Sequence, residues 1–301
     1  MSQPIFQGSA VAVVTPFNDA GVDFAKLEQL VEFHIKNGSD AIVICGSTGE
    51  ASTMPDSEHI ATIKCCVDAV AGRVPVIAGT GSNDTAHGIR LSQEAASTGV
   101  DGLLVVTPYY NKCTPEGLVR HYKAVANAVD VPIVLYNVPS RTNVNISPSV
   151  LEKLADVENI VAVKECNFGQ VPEILSLLGD RYTFYSGEDA LAVPLASLGG
   201  KGVISVVANI LPSYMSTMMH AYLDGDISKA RSMQIDVIPL VKAMFCEVNP
   251  IPVKEAMNIL GAGVGPCRLP LCEMSDKDHE YVTEVLSQYD TSAFKEFFAY
   301  W

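Results

Sequence analysis

Side chains suited to carbonyl chemistry follow two apolar runs near the middle of the chain. Tyr136, Asn137 and Arg141 end or follow the run VPIVLYNVP, and Lys164 and Glu165 lie at the end of IVAVKEC. A lysine amine has an ordinary pKa of about 10.4, but burial among apolar side chains lowers that pKa and frees the amine. A free amine attacks a ketone and forms a Schiff base, through which carbon–carbon bonds are made and broken. Lys164 is therefore the candidate nucleophile.

Neighbouring side chains have the properties that such chemistry requires. Tyr136 could transfer protons, but a phenol with a pKa of about 10 is a poor base alone and needs a hydroxyl relay. Ser47 and Tyr110 are the candidates for that relay. Arg141 is suited to binding a carboxylate through two parallel hydrogen bonds.

Each of these residues also has an ordinary structural interpretation. Lys164 could be a strand-end lysine paired with Glu165, and the GSTGE run at 46–50 could be only a tight turn, since no lysine follows it as in a P-loop. Tyr136 could be a packed aromatic and Arg141 a surface residue. A shared location is what favours the catalytic interpretation.

Eight short β-type runs recur along the chain, separated by helical patterns. The runs lie at 9–17, 41–46, 74–81, 102–108, 131–139, 160–166, 183–189 and 202–209. Most are continuously apolar, as expected for parallel strands that helices cover. Helices are predicted between them at 23–37, 56–71, 83–98, 116–129, 147–155, 171–178 and 189–198. Eight β-then-α units predict an α/β fold, a (β/α)8 TIM barrel, rather than an open doubly wound sheet.

The pattern becomes entirely helical after residue 209. Helices are predicted at 212–223, 226–246, 251–260 and 276–288. No low-complexity linker separates them from the preceding units. The prediction is a catalytic barrel at 1–225 followed by a C-terminal helical domain at 226–301.

In a barrel of this kind the active site lies at the C-terminal ends of the strands. The residues that follow each run therefore form a candidate pocket. They are Thr15 and Pro16, the segments 46–50 and 107–110, Tyr136, Asn137 and Arg141, Lys164 and Glu165, the segment 186–188, and Ile204 and Ser205. The set contains one amine, several hydroxyls and one guanidinium, with neither metal ligands nor a phosphate-binding loop.

Charge and composition exclude several classes of partner. Lysine and arginine total 20 against 34 for aspartate and glutamate, a formal net charge of −14. Nucleic acids and anionic membranes need clustered positive charge, so neither is expected as a partner. A small anionic substrate remains compatible, because a few local cations can define a pocket.

The N-terminal sequence and the cysteines predict a cytoplasmic protein. MSQPIFQGSAVAVV lacks the regions of a signal peptide, and no apolar run reaches the roughly 18–20 residues of a membrane helix. The eight cysteines show neither CxxC pairs nor the spacing of a disulfide framework, so we expect them reduced. The six histidines are scattered, so no metal is expected.

Seven segments carry a resemblance to a known family. They are GSTGEAST (46–53), VIAGTGSN (76–83), TPYYNK (107–112), YNVPSRT (136–142), VAVKE (161–165), GGKGVISV (199–206) and NPIPVK (249–254). In the residues and the order of these segments, the chain resembles the pyruvate-dependent Schiff-base aldolases, which include N-acetylneuraminate lyase. Among these it resembles the dihydrodipicolinate synthase family. The resemblance implies a (β/α)8 barrel with a helical C-terminal domain, assembled as a homotetramer of two tight dimers.

The resemblance also implies a reaction and residue roles. Lys164 would form the Schiff base with pyruvate, and Tyr136 would donate and accept protons through Ser47 and a Tyr110 from the neighbouring subunit. Thr48 and the backbone at Ile204 would bind pyruvate, and Arg141 would bind the carboxylate of L-aspartate 4-semialdehyde. The implied product is 4-hydroxy-tetrahydrodipicolinate, on the route to diaminopimelate and lysine. No cofactor is implied beyond the covalent pyruvate imine on Lys164.

Two positions depart from the family pattern. Ser47 stands where many members have threonine, which keeps the hydroxyl of the relay. A lysine-effector site is implied at Ala51, Ser52, His59, Asn83 and Tyr109. Asp56 and His87 stand where strongly inhibited members have a histidine and a glutamate. Because the missing glutamate would pair with an ammonium of the inhibitor, our hypothesis is weak or absent inhibition by lysine.

Two alternative functions remain open from the sequence. A sibling aldolase that cleaves a sugar acid or sialic acid would use the same lysine, and Arg141 favours the synthase over it. A catalytically silent barrel, kept as a binding module, would form no borohydride-trappable adduct on Lys164.

Overall fold

The structure is a computed structural model and describes residues 3–299. Eight parallel strands form a closed barrel in which each strand pairs with the next and the last pairs with the first. The strands are β1 (Gly8–Ala12), β2 (Ala41–Ile44), β3 (Val76–Gly79), β4 (Gly102–Val106), β5 (Ile133–Asn137), β6 (Ile160–Glu165), β7 (Thr183–Ser186) and β8 (Gly202–Ser205). The predicted (β/α)8 barrel is confirmed.

Alternation along the strands separates two apolar layers. Successive side chains of a strand point to opposite faces, so every second residue faces the barrel axis. Ala10, Val134 and Ala162 belong to the cluster that fills the barrel. Val11, Leu135 and Val163, one residue further along, belong to the larger cluster between strands and helices. This double burial explains why the runs are continuously apolar.

Nine helices of the described residues flank the strands or follow them directly. They are α1 (Phe24–Lys36), α2 (Asp56–Val70), α3 (Thr85–Ser97), α4 (Pro115–Ala126), α5 (Pro139–Thr142), α6 (Pro148–Lys153), α7 (Val171–Leu178), α8 (Ala192–Ser197) and α9 (Pro212–Leu223). Helix α1 shows the pattern, because the Asp23 carboxylate caps its first turn by accepting a hydrogen bond from Lys26 N at 3.0 Å. Its buried stripe includes Leu27, Leu30 and Val31.

Five further helices complete the C-terminal part. They are α10 (Ile227–Asp236), α11 (Ile238–Met244), α12 (Ile251–Ile259), α13 (Asp276–Leu286) and α14 (Ser292–Ala299). The single helix predicted at 226–246 is wrong: Pro239 lacks an N–H and cannot continue the helix, so the segment divides at Val237. Helix α14 was not predicted as a helix, and its Phe294 packs edge-on against Phe33 of α1 with ring centroids 5.0 Å apart.

The end of the barrel opposite the carboxyl ends of the strands is closed by an aromatic pair. Phe6 stacks on Tyr185 of β7, with ring centroids 4.2 Å apart and planes 7° from parallel. The Tyr185 hydroxyl donates to Phe6 O at 3.0 Å.

The predicted division at 225 and 226 falls in the turn between α9 and α10. That division stays a prediction, and the parts on its two sides are closely connected. Lys254 of α12 is buried against the loop that follows β2. Within residues 3–299, no helix combines the length and apolar character needed to cross a membrane.

Candidate active site

Lys164 and Tyr136 occupy paired positions on adjacent strands. In the register of β5 and β6, Tyr136 lies opposite Lys164, two residues beyond the barrel-filling Val134 and Ala162. The period of two therefore directs both side chains into the barrel. The Lys164 Nζ lies 4.4 Å from the centroid of the Tyr136 ring, and both residues are buried. Ile204 of β8 is also buried in this interior cluster.

Burial changes the acidity of Lys164. Removal from water disfavours the cation and lowers the pKa of the amine. The neighbouring Cys166, Asp189 and Glu188 oppose that effect, whereas the Arg141 guanidinium adds to it. Desolvation is the largest influence, so Lys164 gives up its proton more readily than an exposed lysine.

Tyr136 is held in its protonated form. Burial raises the pKa of its phenol, and a hydrogen bond with Ser47 and the charge of Arg141 oppose the rise. A protonated phenol can donate a proton, and a neighbouring hydroxyl can relay that proton. Tyr136 and Ser47, two residues of the predicted relay, are thus neighbours, and the relay itself stays a prediction.

Glu165 points away from Lys164, into the layer between strands and helices. Its carboxylate accepts hydrogen bonds from Asn137 Nδ2 at 2.7 Å, Asn167 N at 2.6 Å and Gln170 Nε2 at 2.8 Å. Among the described residues no ion pair joins it to Lys164. The alternative of a strand-end pair between these two residues is therefore wrong. The carboxylate instead ties the end of β6 to the end of β5, next to the Tyr136–Lys164 pair.

Asn249 connects the two predicted carboxylate-binding residues. Its Nδ2 donates to the Thr48 hydroxyl at 3.0 Å, and its main-chain oxygen accepts from Arg141 Nη2 at 3.2 Å. Thr48 is buried, while Arg141 lies at the exposed surface of the short helix α5. Helix α5 is itself fixed, because Thr107 donates to the Thr142 hydroxyl at 2.8 Å.

The loop after β2 is fixed by a buried ion pair. Lys254 Nζ of α12 donates to Glu50 Oε1 at 2.9 Å and to the main-chain oxygens of Thr15 and Pro266 at 3.0 and 2.7 Å. The other Glu50 oxygen accepts from Arg268 N at 2.8 Å. Glu50 adopts a left-handed φ of 53°, which these contacts hold in place. The loop carrying Ser47 and Thr48 is thus fixed by the C-terminal helices.

Glycines permit two close approaches beneath the site. A Cβ at Gly79 would lie 2.1 Å from the Cys45 main-chain oxygen, directly under the loop after β2. A Cβ at Gly187 would lie 2.3 Å from Cys166 Sγ and 3.3 Å from Lys164 Cε. Any side chain at Gly187 would therefore displace Cys166 or Lys164.

Tyr110 does not reach this site within the chain. It is 89% exposed and adopts a left-handed φ of 75°. The remaining predicted catalytic residues, Lys164, Tyr136 and Ser47, lie together. An exposed aromatic at the barrel mouth is compatible with a role in a neighbouring subunit.

A cavity of about 450 Å³ opens from Tyr136 toward α2 and α3. Its lining includes Ser47, Tyr136, Arg141 and Asn249, and also the predicted effector residues Ala51, Ser52, His59 and Tyr109. Asn83 is not among the described lining residues, and its Nδ2 donates to the Tyr109 main-chain oxygen at 3.2 Å. Part of the catalytic prediction and most of the effector prediction thus line one cavity, whereas Lys164, Thr48 and Ile204 are not among the described residues that line it.

Asp56 and His87, the two departures from the family pattern, contact each other in this cleft. His87 Nε2 donates to Asp56 Oδ1 at 2.9 Å, and His87 Nδ1 lies 3.0 Å from the Ser82 hydroxyl. His59 donates from Nε2 to the Gly79 main-chain oxygen at 2.8 Å, and burial lowers its pKa. Asp56 is therefore already engaged by a side chain of this chain.

Sequence reasoning missed Asn249, Lys254 and the partners of Glu165. The only available signal was the segment NPIPVK (249–254), which supported the resemblance without indicating any contact. Among residues 3–299, no group of three or more histidine, cysteine, aspartate or glutamate side chains is placed to hold a metal ion.

The family model described as the dihydrodipicolinate synthetase family matches residues 5–289. The chain is similar to a 4-hydroxy-tetrahydrodipicolinate synthase of Thermoanaerobacter sp. (strain X514), with 57% identity over 95% of this chain and 97% of the relative. It is also similar to one of Acetivibrio thermocellus, with 53% identity over 96% of this chain and 99% of the relative.

Solved structures give the same result. The dihydrodipicolinate synthase of Aquifex aeolicus matches with a TM-score of 0.93 and 47% identity, over 95% of this chain and 99% of that chain. The chloride-inhibited enzyme of Acinetobacter baumannii, complexed with pyruvate, matches with a TM-score of 0.90 and 42% identity, over 93% and 98%. With a family model spanning nearly its whole length and relatives above half identity, the chain belongs to the dihydrodipicolinate synthetase family.

Proposed function

We propose that the chain condenses pyruvate with L-aspartate 4-semialdehyde, through an imine on Lys164, to give 4-hydroxy-tetrahydrodipicolinate. The observation that carries the proposal is the buried amine of Lys164, 4.4 Å from the centroid of the Tyr136 ring, which lines the cleft. The relatives' names support the reaction, and the pyruvate complex of the Acinetobacter baumannii enzyme supports the keto acid. The product lies on the route to diaminopimelate and lysine.

The first half of the reaction activates pyruvate. The free amine of Lys164 attacks the ketone carbon, and loss of water leaves an imine. The imine withdraws electrons from the methyl group, so a proton leaves that carbon and an enamine forms. Tyr136 and Ser47 move the protons of these steps, because a buried phenol with a hydroxyl partner can both donate and recover a proton.

The second half forms the carbon–carbon bond. The enamine carbon attacks the aldehyde carbon of the semialdehyde, and the resulting alkoxide takes a proton from Tyr136. The amino group of the second substrate then attacks the imine carbon, which closes the ring and releases the Lys164 amine. Pyruvate bound to Lys164 is itself the electron sink, so the proposed reaction needs no cofactor.

Substrate carboxylates bind on both sides of the reacting atoms. Thr48, with the backbone at Ile204, binds the pyruvate carboxylate, and Arg141 binds that of the semialdehyde. The Thr48 hydroxyl accepts a hydrogen bond from Asn249, which leaves its own proton free to donate to a carboxylate. Arg141 is held by the Asn249 main-chain oxygen, which orients its guanidinium.

The working assembly contains more than one chain. Tyr110 completes the relay of a neighbouring subunit, and tight dimers pair into a homotetramer in the cytoplasm. The exposure of Tyr110 supports this part of the proposal, because a tyrosine 89% exposed on one chain can enter a cleft on another.

The test is pyruvate consumption by the purified protein with and without L-aspartate 4-semialdehyde, coupled to a reductase that consumes the product. We expect turnover that depends on the semialdehyde, and a pyruvate adduct on Lys164 that borohydride traps. Lys164→Arg keeps the charge but should give no adduct and at least about 1,000-fold lower turnover. An adduct without semialdehyde-dependent turnover would instead favour a sibling aldolase, to be tested with sugar aldehydes.

We also propose that lysine inhibits this enzyme weakly or not at all. In the effector half of the cleft, position 87 is a histidine rather than a glutamate that could receive the ammonium of a bound lysine. That histidine is paired with Asp56. Titration of lysine into the coupled assay should leave turnover nearly unchanged at millimolar concentration, and Asp56→His/His87→Glu should increase the sensitivity. Strong suppression of the wild type by millimolar lysine would contradict the proposal.

A further inference from the structure

Among the described residues that line the cleft, one buried side-chain atom has no hydrogen-bond partner. Asn249 is 5% exposed, and its Nδ2 is engaged by Thr48. Among residues 3–299, its Oδ1 makes no hydrogen bond. A buried acceptor left without a donor costs stability, so such an atom in a native site needs an explanation.

The position of Asn249 indicates what would supply the donor. The residue lines the cavity together with Tyr136 and Arg141, and its main-chain oxygen contacts Arg141 Nη2 at 3.2 Å. A substrate whose carboxylate binds Arg141 therefore places the groups on its α-carbon near the Asn249 amide. In L-aspartate 4-semialdehyde, one of those groups is an ammonium.

The acidic residues of the cavity are not available for that ammonium. Glu50 and Asp56 are the acidic residues within the described lining. Glu50 is bound by Lys254 and by the Arg268 main chain, and Asp56 is bound by His87. The amide oxygen of Asn249 remains available as an acceptor. A hydrogen bond from an ammonium to this oxygen would be about twice as strong as one between neutral groups.

We propose that Asn249 Oδ1 accepts a hydrogen bond from the α-ammonium of the aldehyde substrate, and that Asn249 thereby selects an amino-acid aldehyde over aldehydes without an amino group. The inference rests on the proposed function and adds a specificity residue to it. Asn249 also orients Thr48, so a single side chain connects recognition of the two substrates.

The experiment compares two aldehydes that differ only in the amino group. Succinate semialdehyde has the carboxylate and the chain length of L-aspartate 4-semialdehyde but no ammonium. At saturating pyruvate, kcat/KM for the amino aldehyde and the inhibition constant of succinate semialdehyde are measured for the wild type and for variants at Asn249. The main-chain contact to Arg141 persists in every variant.

Asn249→Ala should lower kcat/KM for the amino aldehyde by about 10- to 100-fold, the effect of losing a hydrogen bond to a charged group. The inhibition constant of succinate semialdehyde should change by much less. Asn249→Asp keeps an acceptor but cannot donate to Thr48, so it should retain the preference for the amino aldehyde and raise the KM for pyruvate. A parallel loss for both aldehydes in Asn249→Ala would overturn the inference.

Two controls separate the possible failures. Ile235→Ala shortens an exposed side chain of α10 that is not among the residues lining the cavity, so both aldehydes should behave as in the wild type. Each variant must still form the borohydride-trapped pyruvate adduct on Lys164, which shows an intact site. Absence of semialdehyde-dependent turnover in the wild type would refute the proposed function, whereas wild-type turnover with an unchanged preference in Asn249→Ala would refute only the inference.

Discussion

Burial has opposite consequences for the two titratable residues that end β6. It lowers the pKa of the Lys164 amine, and it raises that of the Glu165 carboxyl to about 7. The strand directs the first side chain into the barrel and the second into the helical layer. In both cases burial favours the neutral form, which for Lys164 is the form that reacts.

The raised pKa of Glu165 predicts a pH dependence of stability. The folded state keeps the proton up to about pH 7, whereas an ordinary glutamate loses it near 4.5. The stabilisation of the folded state by this tighter proton binding is therefore complete below pH 4.5, and it is lost as the pH rises through 7. Glu165→Gln lacks this titrating group. As the pH rises from 5 to 8, its free energy of unfolding should therefore increase relative to that of the wild type, by about 3 kcal/mol at most.

Thermal unfolding of both proteins across that pH range measures this change. The constant cost of replacing a carboxylate that accepts three hydrogen bonds cancels, because only the change with pH is compared. Glu116→Gln is the control of opposite sign, since hydrogen bonding to Arg120 lowers rather than raises the pKa of this exposed carboxyl. A difference between Glu165→Gln and wild type that stays flat from pH 5 to 8 would show that Glu165 is ionised throughout.

Residue types at strand ends were enough to predict much of the candidate site. Lys164, Tyr136, Thr48 and Arg141 each follow an apolar run, and barrel geometry places such residues together. Asn249 was not predictable in the same way, because its contact with Thr48 joins residues 201 positions apart and neither type indicates the other. Of the partners of Glu165, Asn137 ends β5, and Asn167 and Gln170 lie between β6 and α7, where hydrophobic periodicity does not indicate which side chains meet.

Among elements, the connection between α12 and the loop after β2 is the one on which the site depends most. The Lys254–Glu50 pair is almost fully buried, with side-chain exposures of 2% and 1%. Removing one partner of such a pair leaves an uncompensated charge out of water. The loop that presents Ser47 and Thr48 would then lose its attachment to the C-terminal helices.

Lys254→Met should destabilise the protein by about 3–5 kcal/mol, the usual cost of a buried charge without its partner. Lys254→Met/Glu50→Gln should recover part of that loss, because no unpaired charge remains. Chemical denaturation of both variants measures the difference. Arg120→Met, which breaks an exposed pair with Glu116, serves as control and should change little. Equal losses in the single and double variants would contradict the explanation.

The helical part was predicted less completely than the barrel, for local reasons. The spacing of apolar residues over 226–246 is compatible with one helix, and only Pro239 indicates the break. The strands are shorter than their runs, as in β1, which ends at Ala12 while the apolar run continues to Phe17. Residues beyond a strand stay apolar where the loops above the barrel are themselves buried.

For the whole molecule, Tyr110 is the residue that a single chain leaves outside its own site. If it completes a second subunit's relay, two inactive variants should restore each other. Tyr110→Phe keeps Lys164 but lacks the hydroxyl, and Lys164→Arg keeps Tyr110 but lacks the nucleophile. Mixed dimers then contain one site in which both groups are present.

Equal amounts of the two variants, unfolded and refolded together, should recover about a quarter of the wild-type activity in the coupled assay, as random pairing in symmetric dimers predicts. Each variant refolded alone is the control and should stay nearly inactive. Activity of the mixture no higher than the mean of the two controls would place Tyr110 outside the neighbouring site.

The contacts of Asn249, Lys254 and Arg268 have a consequence for how this protein can be recombined with its relatives. Residues beyond α9 form part of the mouth of the barrel. The barrel and the C-terminal helices must therefore carry side chains that fit each other. A chimera that takes its C-terminal helices from a relative should stay active only when the segment 46–53 comes from the same parent. Crossover points within the outer helices of the barrel should be tolerated more readily than a single exchange at the turn after α9.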